Sequence, residues 1–214
     1  MPPMARKVWL ASGILSSAVY VALNALGAIR WPDYSVLSQT VSELSAIDAP
    51  SRSLVVRLGL AYNALLIVFG AGVWRSAAGR RALRVVAVSL AGVAVVGLVA
   101  SPFAPMHVRG AERTLTDTMH IALTIVTVLF IFLAIGFGAT AFGPRFRAYS
   151  LATIAVLVVA GTLTALDGPR VAANLPTPWA GLTQRINIGG YLLWVAVLAI
   201  VLLRRSAEGE RGAR

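Results

Sequence analysis

The 214-residue chain contains no cysteine. That excludes disulfides, c-type haem attachment and thiolate metal sites, while leaving the compartment open. Charge is scarce as well: Asp, Glu, Lys and Arg make up 13% of the residues, against about a quarter in soluble domains. Lysine is nearly missing, with Lys7 alone among 19 basic residues. With abundant Ala, Val and Gly, this arginine bias points to a GC-rich bacterial coding sequence. Histidine occurs only as His107 and His120, and neither stands in an HExxH zinc motif. No GxSxG stretch offers a nucleophile elbow. The net charge of +11 is dispersed in short clusters between apolar runs, so no basic domain is available to grip phosphates and no nucleic-acid partner is expected.

What the chain has in quantity is apolar surface, at 58% hydrophobic residues and a mean hydropathy of +0.80. A hydrocarbon core of roughly 30 Å takes about 20 apolar residues per helix. Six runs meet that need, at 8–29, 54–74, 82–101, 115–142, 149–166 and 185–203. The first exceeds the apolar stretch of a signal peptide and reads as an uncleaved anchor. The expected fold is all-α, a single domain over 1–214 built as a bundle of six transmembrane helices.

Orientation follows from charge. With the N-terminus inside, the inner segments hold Arg6, Lys7, Arg75, Arg80, Arg81, Arg84, Arg145, Arg147, Arg204, Arg205, Arg211 and Arg214, against Glu208 and Glu210. The outer segments mix seven basic residues with six acidic ones. Positive charge gathers on the cytoplasmic side of membrane proteins, so both termini are expected in the cytoplasm of a cell whose plasma membrane the chain crosses several times.

One wet insert interrupts this pattern, "DYSVLSQTVSELSAIDAP" at 33–50. Leu37, Val41 and Leu44 recur at i, i+4 and i+7, and Ser38, Ser42 and Ser45 lie beside them. This spacing predicts a short amphipathic helix in the first outer loop, capped by Asp33 or Ser35 and ended at Ala49-Pro50. Other polar residues also gather at the outer end. Asp117, His120, Thr124 and Thr127 share one face of the fourth helix, and Gln184, Asn187, Tyr191 and Trp194 share one face of the sixth. Asn24 and Tyr20 stand near the outer end of the first helix and Asn63 in the outer third of the second. The inner halves are almost bare of polar side chains.

Glu43 is therefore expected to turn toward this rim and meet an arginine among Arg57, Arg113, Arg170 and Arg185, with Arg185 favoured. Either would be costly in lipid without a partner. The bland reading is a rim held by ion pairs and interhelical hydrogen bonds. The functional reading is an outward-facing site for a lipid headgroup or small polar ligand, lined by Ser38, Ser42, Glu43, Asn63, Asp117, His120 and Arg185. Membrane lipids are the expected partners, and no cofactor is required. Two catalytic alternatives draw on Glu43, Asp117 and His120. In one, a metal-dependent hydrolase of membrane lipids or amides, His107, Asp117 and His120, with Glu43, form a zinc site within that metal's ligand preferences. In the other, Ser38 or Ser42 is a nucleophile with His120 as base and Asp117 behind it. Asp117 is expected to pair with His120, one turn along. Small-solute transport ranks behind binding and hydrolysis, because a midplane site would place polar or helix-breaking residues deeper than they occur.

The outer-loop "LSQTVSEL", the six spans, the His-bearing fourth helix and "WAGLTQRI" before the sixth together resemble domain-of-unknown-function family 998, over almost the whole chain. The resemblance implies a six-helix prokaryotic membrane protein without an established reaction. The rim of Ser, Glu, Asp and His is also similar to that of membrane amide hydrolases of the alkaline ceramidase type, whose HxxxH pair this chain lacks.

Overall fold

A computed structural model of the chain describes residues 3–212, with side chains described for 4–208. Of the charges counted above, Arg214 lies outside the described residues, as do the side chains of Glu210 and Arg211. The architecture is all-α: α1 (Pro3–Arg30), α2 (Arg52–Ser76), α3 (Arg81–Phe103), α4 (Leu115–Ala141), α5 (Pro144–Leu166), the short α6 (Gly168–Ala172) and α7 (Ala180–Gly212). Six of these helices are long and apolar enough to cross a membrane. Among the described residues the one β feature is an isolated bridge between Ile47 and His107.

Each long helix packs on its chain neighbour, and α7 closes the ring by packing on both α5 and α1. Short connections force the antiparallel course: residues 77–80 join α2 to α3, and 142–143 join α4 to α5. Both turns therefore fall at one end, with the start of α1 and the end of α7. There Arg6 donates to the Ser206 carbonyl, Arg80 donates to the Ala141 carbonyl, and Arg205 stacks over Phe142. This basic end faces away from the end where the longer connections gather, here termed the cap end.

The core runs through the middle of the ring, with Leu10, Leu66, Phe69, Val86, Leu90, Ile135, Trp194 and Leu198 fully buried. Trp194 donates its indole N–H to Ser150 Oγ at 3.0 Å, so the largest core side chain is not left with an unmet donor. Outward faces keep their Leu, Val and Ile exposed, most of all along α4. A bilayer, rather than protein, covers such a surface.

The helices extend past the expected apolar limits. α7 starts at Ala180 and runs on through its Arg-rich end, because a helix satisfies its own backbone whether its side chains face lipid or water. The insert departs more sharply from expectation. Its helical part is a single 3-10 turn, Val41–Ser45, with Thr40 as N-cap and Ala46 as C-cap, and not an α-helix capped at Asp33 or Ser35. Residues 33–39 are turns and irregular chain. Val41 and Leu44 are buried in a small cluster with Leu23, Tyr34 and Val55, whereas Leu37 is half exposed. The apolar stripe thus rests on the ends of α1 and α2, so the insert lies on protein.

Candidate functional site

Glu43 is the most deeply placed charge at the cap end, only 1% exposed. Its carboxylate reaches back to the start of its own 3-10 turn, where Oε2 accepts the Thr40 N–H at 2.6 Å and the Thr40 hydroxyl at 2.9 Å. The local pattern Thr-x-x-Glu is what makes this possible, since a residue at N3 can meet the N-cap backbone. Its ion-pair partner is Arg109, from the loop between α3 and α4. Arg109 Nε donates to Oε1 and Nη2 donates to Oε2 at 3.0 Å, a two-pronged arrangement that suits a planar guanidinium. The expected pairing with Arg185 is therefore corrected, and Arg57, Arg113 and Arg170 are exposed. Arg109 has further work. Nη1 donates to Thr177 Oγ1 at 2.7 Å, and Nη2 to the Ser38 carbonyl at 2.8 Å, which also accepts from Thr177 Oγ1. Three separate outer connections meet at this one guanidinium.

Arg185 serves the same cap from α7. Its Nη1 donates to the carbonyls of Val36 and Gln39, and to Gly181 one turn back, while Nη2 donates to Tyr34 Oη at 2.8 Å. Tyr34 in turn donates to the Thr40 carbonyl at 2.8 Å. A phenol holds its proton at neutral pH, and burial pushes that of Tyr34 further above its ordinary pKa. The rest of "WAGLTQRI" continues the seam. Leu182 N–H donates to the Leu37 carbonyl, and Gln184 Oε1 accepts the Val41 N–H. Gly181 sits directly under the insert, where a Cβ would overlap the carbonyls of Val36 and Gln39. The two sequence stretches singled out above are thus the two faces of one docking surface.

Asp117 lies at the third position of α4 and caps it, accepting the Thr114 N–H at 2.9 Å. Helical side chains lean toward the helix N-terminus, which carries this carboxylate away from His120 and toward the preceding loop. There it accepts His107 N–H through Oδ1 and meets His107 Nδ1 through Oδ2, both at 2.8 Å. The expected Asp117–His120 pair is corrected to Asp117–His107. His120 instead places Nδ1 3.0 Å from the Ala104 carbonyl. A carbonyl only accepts, so Nδ1 carries the proton and closes the end of α3.

The residues of the zinc alternative are not gathered into one set in this structure. Among the described residues no three His, Asp or Glu side chains come together as a metal site, and His107 and His120 are tied to different partners. The serine alternative loses its Asp117–His120 leg for the same reason. Ser38 enters the network through its carbonyl, and Ser42 is half-buried in the 3-10 turn. Asn63 is buried apart from the cap, where α2 meets α3, with its amide filling the space that a side chain at Gly97 would need.

Beneath the cap a second polar group occupies the ring. Tyr20 of α1 and Tyr62 of α2 pack edge to face at 4.8 Å, and Tyr191 of α7 joins the same core cluster. Asn24 stands one turn above Tyr20 and donates to its carbonyl. Tyr191 Oη lies against the Tyr62 hydroxyl, and Asn24 Oδ1 is buried without a hydrogen-bond partner among the described residues.

Sequence reasoning did not find Arg109, Thr177 or Gly181. The Thr-x-x-Glu spacing was the one available signal for how Glu43 is held. Nothing in the loop distinguishes Arg109 from Arg113, since the choice depends on how the chain folds across the rim.

No curated protein and no solved structure matches the chain. The sequence pattern of a family described as protein of unknown function (DUF998) matches residues 14–201. This span includes all six membrane-crossing helices in whole or in large part, together with the insert and its docking surface. The chain, with its six helices long and apolar enough to cross a membrane, belongs to this family of unknown function, the DUF998 family.

Proposed function

We propose that the protein is a binding protein of the bacterial plasma membrane, with its basic end in the cytoplasm. Its ligand is the polar head of a lipid or another small polar molecule, held in the cap-side half of the ring. The observation that carries this reading is the buried Asn24 Oδ1, which has no partner among the described residues, set in the same polar group as the Tyr191 hydroxyl. A buried polar group without a partner costs about 1–3 kcal/mol, and such groups commonly mark a bound water or ligand. Phenol and amide groups suit a head that carries hydroxyl or amide functions. Arg185 and Tyr34 roof the site, and their donors are already engaged by the insert. The ionisable cap residues therefore serve binding by holding the roof in place: Glu43 and Arg109 lock it, and Asp117 with His107 fastens the neighbouring loop. Their mutual engagement favours binding over the hydrolytic alternative.

Tyr191→Phe and Asn24→Leu test the reading, with native mass spectrometry of protein purified in mild detergent. Both variants are expected to fold, and to lose a hydroxyl- or amide-bearing molecule that the native chain retains. An unchanged profile of bound molecules in both variants would refute the site.

A further inference from the structure

The basic end carries a feature that the cap-side site does not involve. An open cavity of about 580 Å³ lies there, lined by Arg6 of α1, Trp74 and Arg75 of α2, the turn residues Ala77, Ala78 and Gly79, and Arg84 of α3. Its size falls within the roughly 300–1,000 Å³ of small-ligand clefts. Among the described residues three guanidinium groups and no carboxylate form its wall. At the cap end, by contrast, Arg109 meets a carboxylate directly.

The three arginines are held without one. Arg75 lies over the Trp9 ring at 5.4 Å and Arg84 over the Trp74 ring at 5.6 Å. Among the described residues Arg6 reaches only the Ser206 carbonyl, through Nη2 at 3.4 Å, and its buried Nε has no hydrogen-bond partner there. Among the described residues none of the three has an acidic partner. Stacking uses the face of a guanidinium and leaves its N–H edge available for a planar or tetrahedral oxyanion. Like charges around one cavity repel, and an anion between them removes that cost. The α2–α3 turn leaves the wall open, with Ala78 and Gly79 both at positive φ and nothing within 4 Å of a Cβ built at Gly79.

We infer that this cavity binds an anionic phosphate group, with Arg6, Arg75 and Arg84 as the donors. Basic pockets between transmembrane helices suit phospholipid headgroups, and Trp74, 49% exposed at the end of α2, has the side chain favoured at the membrane interface. The same donors would hold a free phosphate or a soluble phosphorylated molecule.

The full chain is purified in neutral detergent, stripped of lipid, and its thermal transition is followed during titration with inorganic phosphate. In parallel it is placed in nanodiscs of phosphatidylglycerol or of phosphatidylcholine. Arg75→Gln, Arg84→Gln and Arg75→Lys are compared with Arg147→Gln, an exposed residue of the basic end outside the cavity. Phosphate, phosphatidylglycerol or both are expected to raise the transition of the native chain. The cavity Gln variants are expected to weaken that response about tenfold, with the Lys variant intermediate because it keeps the charge and loses the fork. Arg147→Gln should leave it unchanged. A response to phosphatidylglycerol alone identifies a lipid headgroup, and a response to inorganic phosphate identifies a soluble anion. No response to either anion, or an equal loss in Arg147→Gln, overturns the inference. Should Arg75→Gln fail to fold, the decision passes to Arg84→Gln and Arg75→Lys.

Discussion

Arg109 and Arg185 stand at the same end of the bundle and do different work. Arg109 neutralises a buried carboxylate, whereas Arg185 gathers backbone carbonyls and a phenol. Their substitutions should differ accordingly. Arg109→Gln leaves Glu43 buried and unpaired, and losing one partner of a buried pair costs ~3–5 kcal/mol. Glu43→Gln should cost less, because Arg109 is partly exposed and keeps the acceptors Ser38 O and Thr177 Oγ1. The double variant is expected to be more stable than the sum of the single effects requires. Glu43→Gln with Arg185→Gln should come much closer to additivity, since those side chains share no bond. Thermal unfolding of all five variants in one detergent checks this. A larger coupling for the Glu43–Arg185 cycle would contradict the assigned pairing.

At the scale of elements, the insert and the start of α7 form one unit. Gly181 permits this, because the insert's carbonyls occupy the space a side chain would need. Overpacking typically costs about 1–3 kcal/mol. Here the obstacle is backbone, which cannot rotate aside as a side chain can. Gly181→Ala is therefore expected to lower thermal stability and to open residues 31–51 to limited proteolysis. Gly136→Ala on α4, where nothing lies within 4 Å, should do neither. Equal protection of the insert in both variants would show that it docks without this contact. Much of the docking seam was visible in the sequence as two stretches, "LSQTVSEL" and "WAGLTQRI". That they face each other was not, since neither periodicity nor charge reports which loop crosses which helix end.

For the whole molecule, the antiparallel ring places all the short connections at one end and all the long ones at the other. The arginine-rich segments share the first end, which is why the charge asymmetry was legible before any coordinate. Single cysteines introduced into the cysteine-free chain test its orientation in intact cells. Glu112→Cys and Ala173→Cys, both exposed at the cap end, are expected to react with a membrane-impermeant thiol reagent, and Arg81→Cys is expected to stay silent until the cells are opened. Labelling of the Arg81 position alone would invert the orientation.

The sequence by itself determined the all-α class and the six apolar spans. Each of these follows from the bilayer's demand for about 20 apolar residues per crossing and for internally satisfied backbone. Such demands act locally along the chain and leave a periodic trace. Only the tertiary structure decided that Glu43 meets Arg109, that Asp117 turns to His107, and that the insert folds as a 3-10 turn against protein. Those outcomes depend on residues far apart in sequence. Charge and hydrogen-bonding capacity make several partners chemically equivalent, and the path of three loops across one rim selects among them.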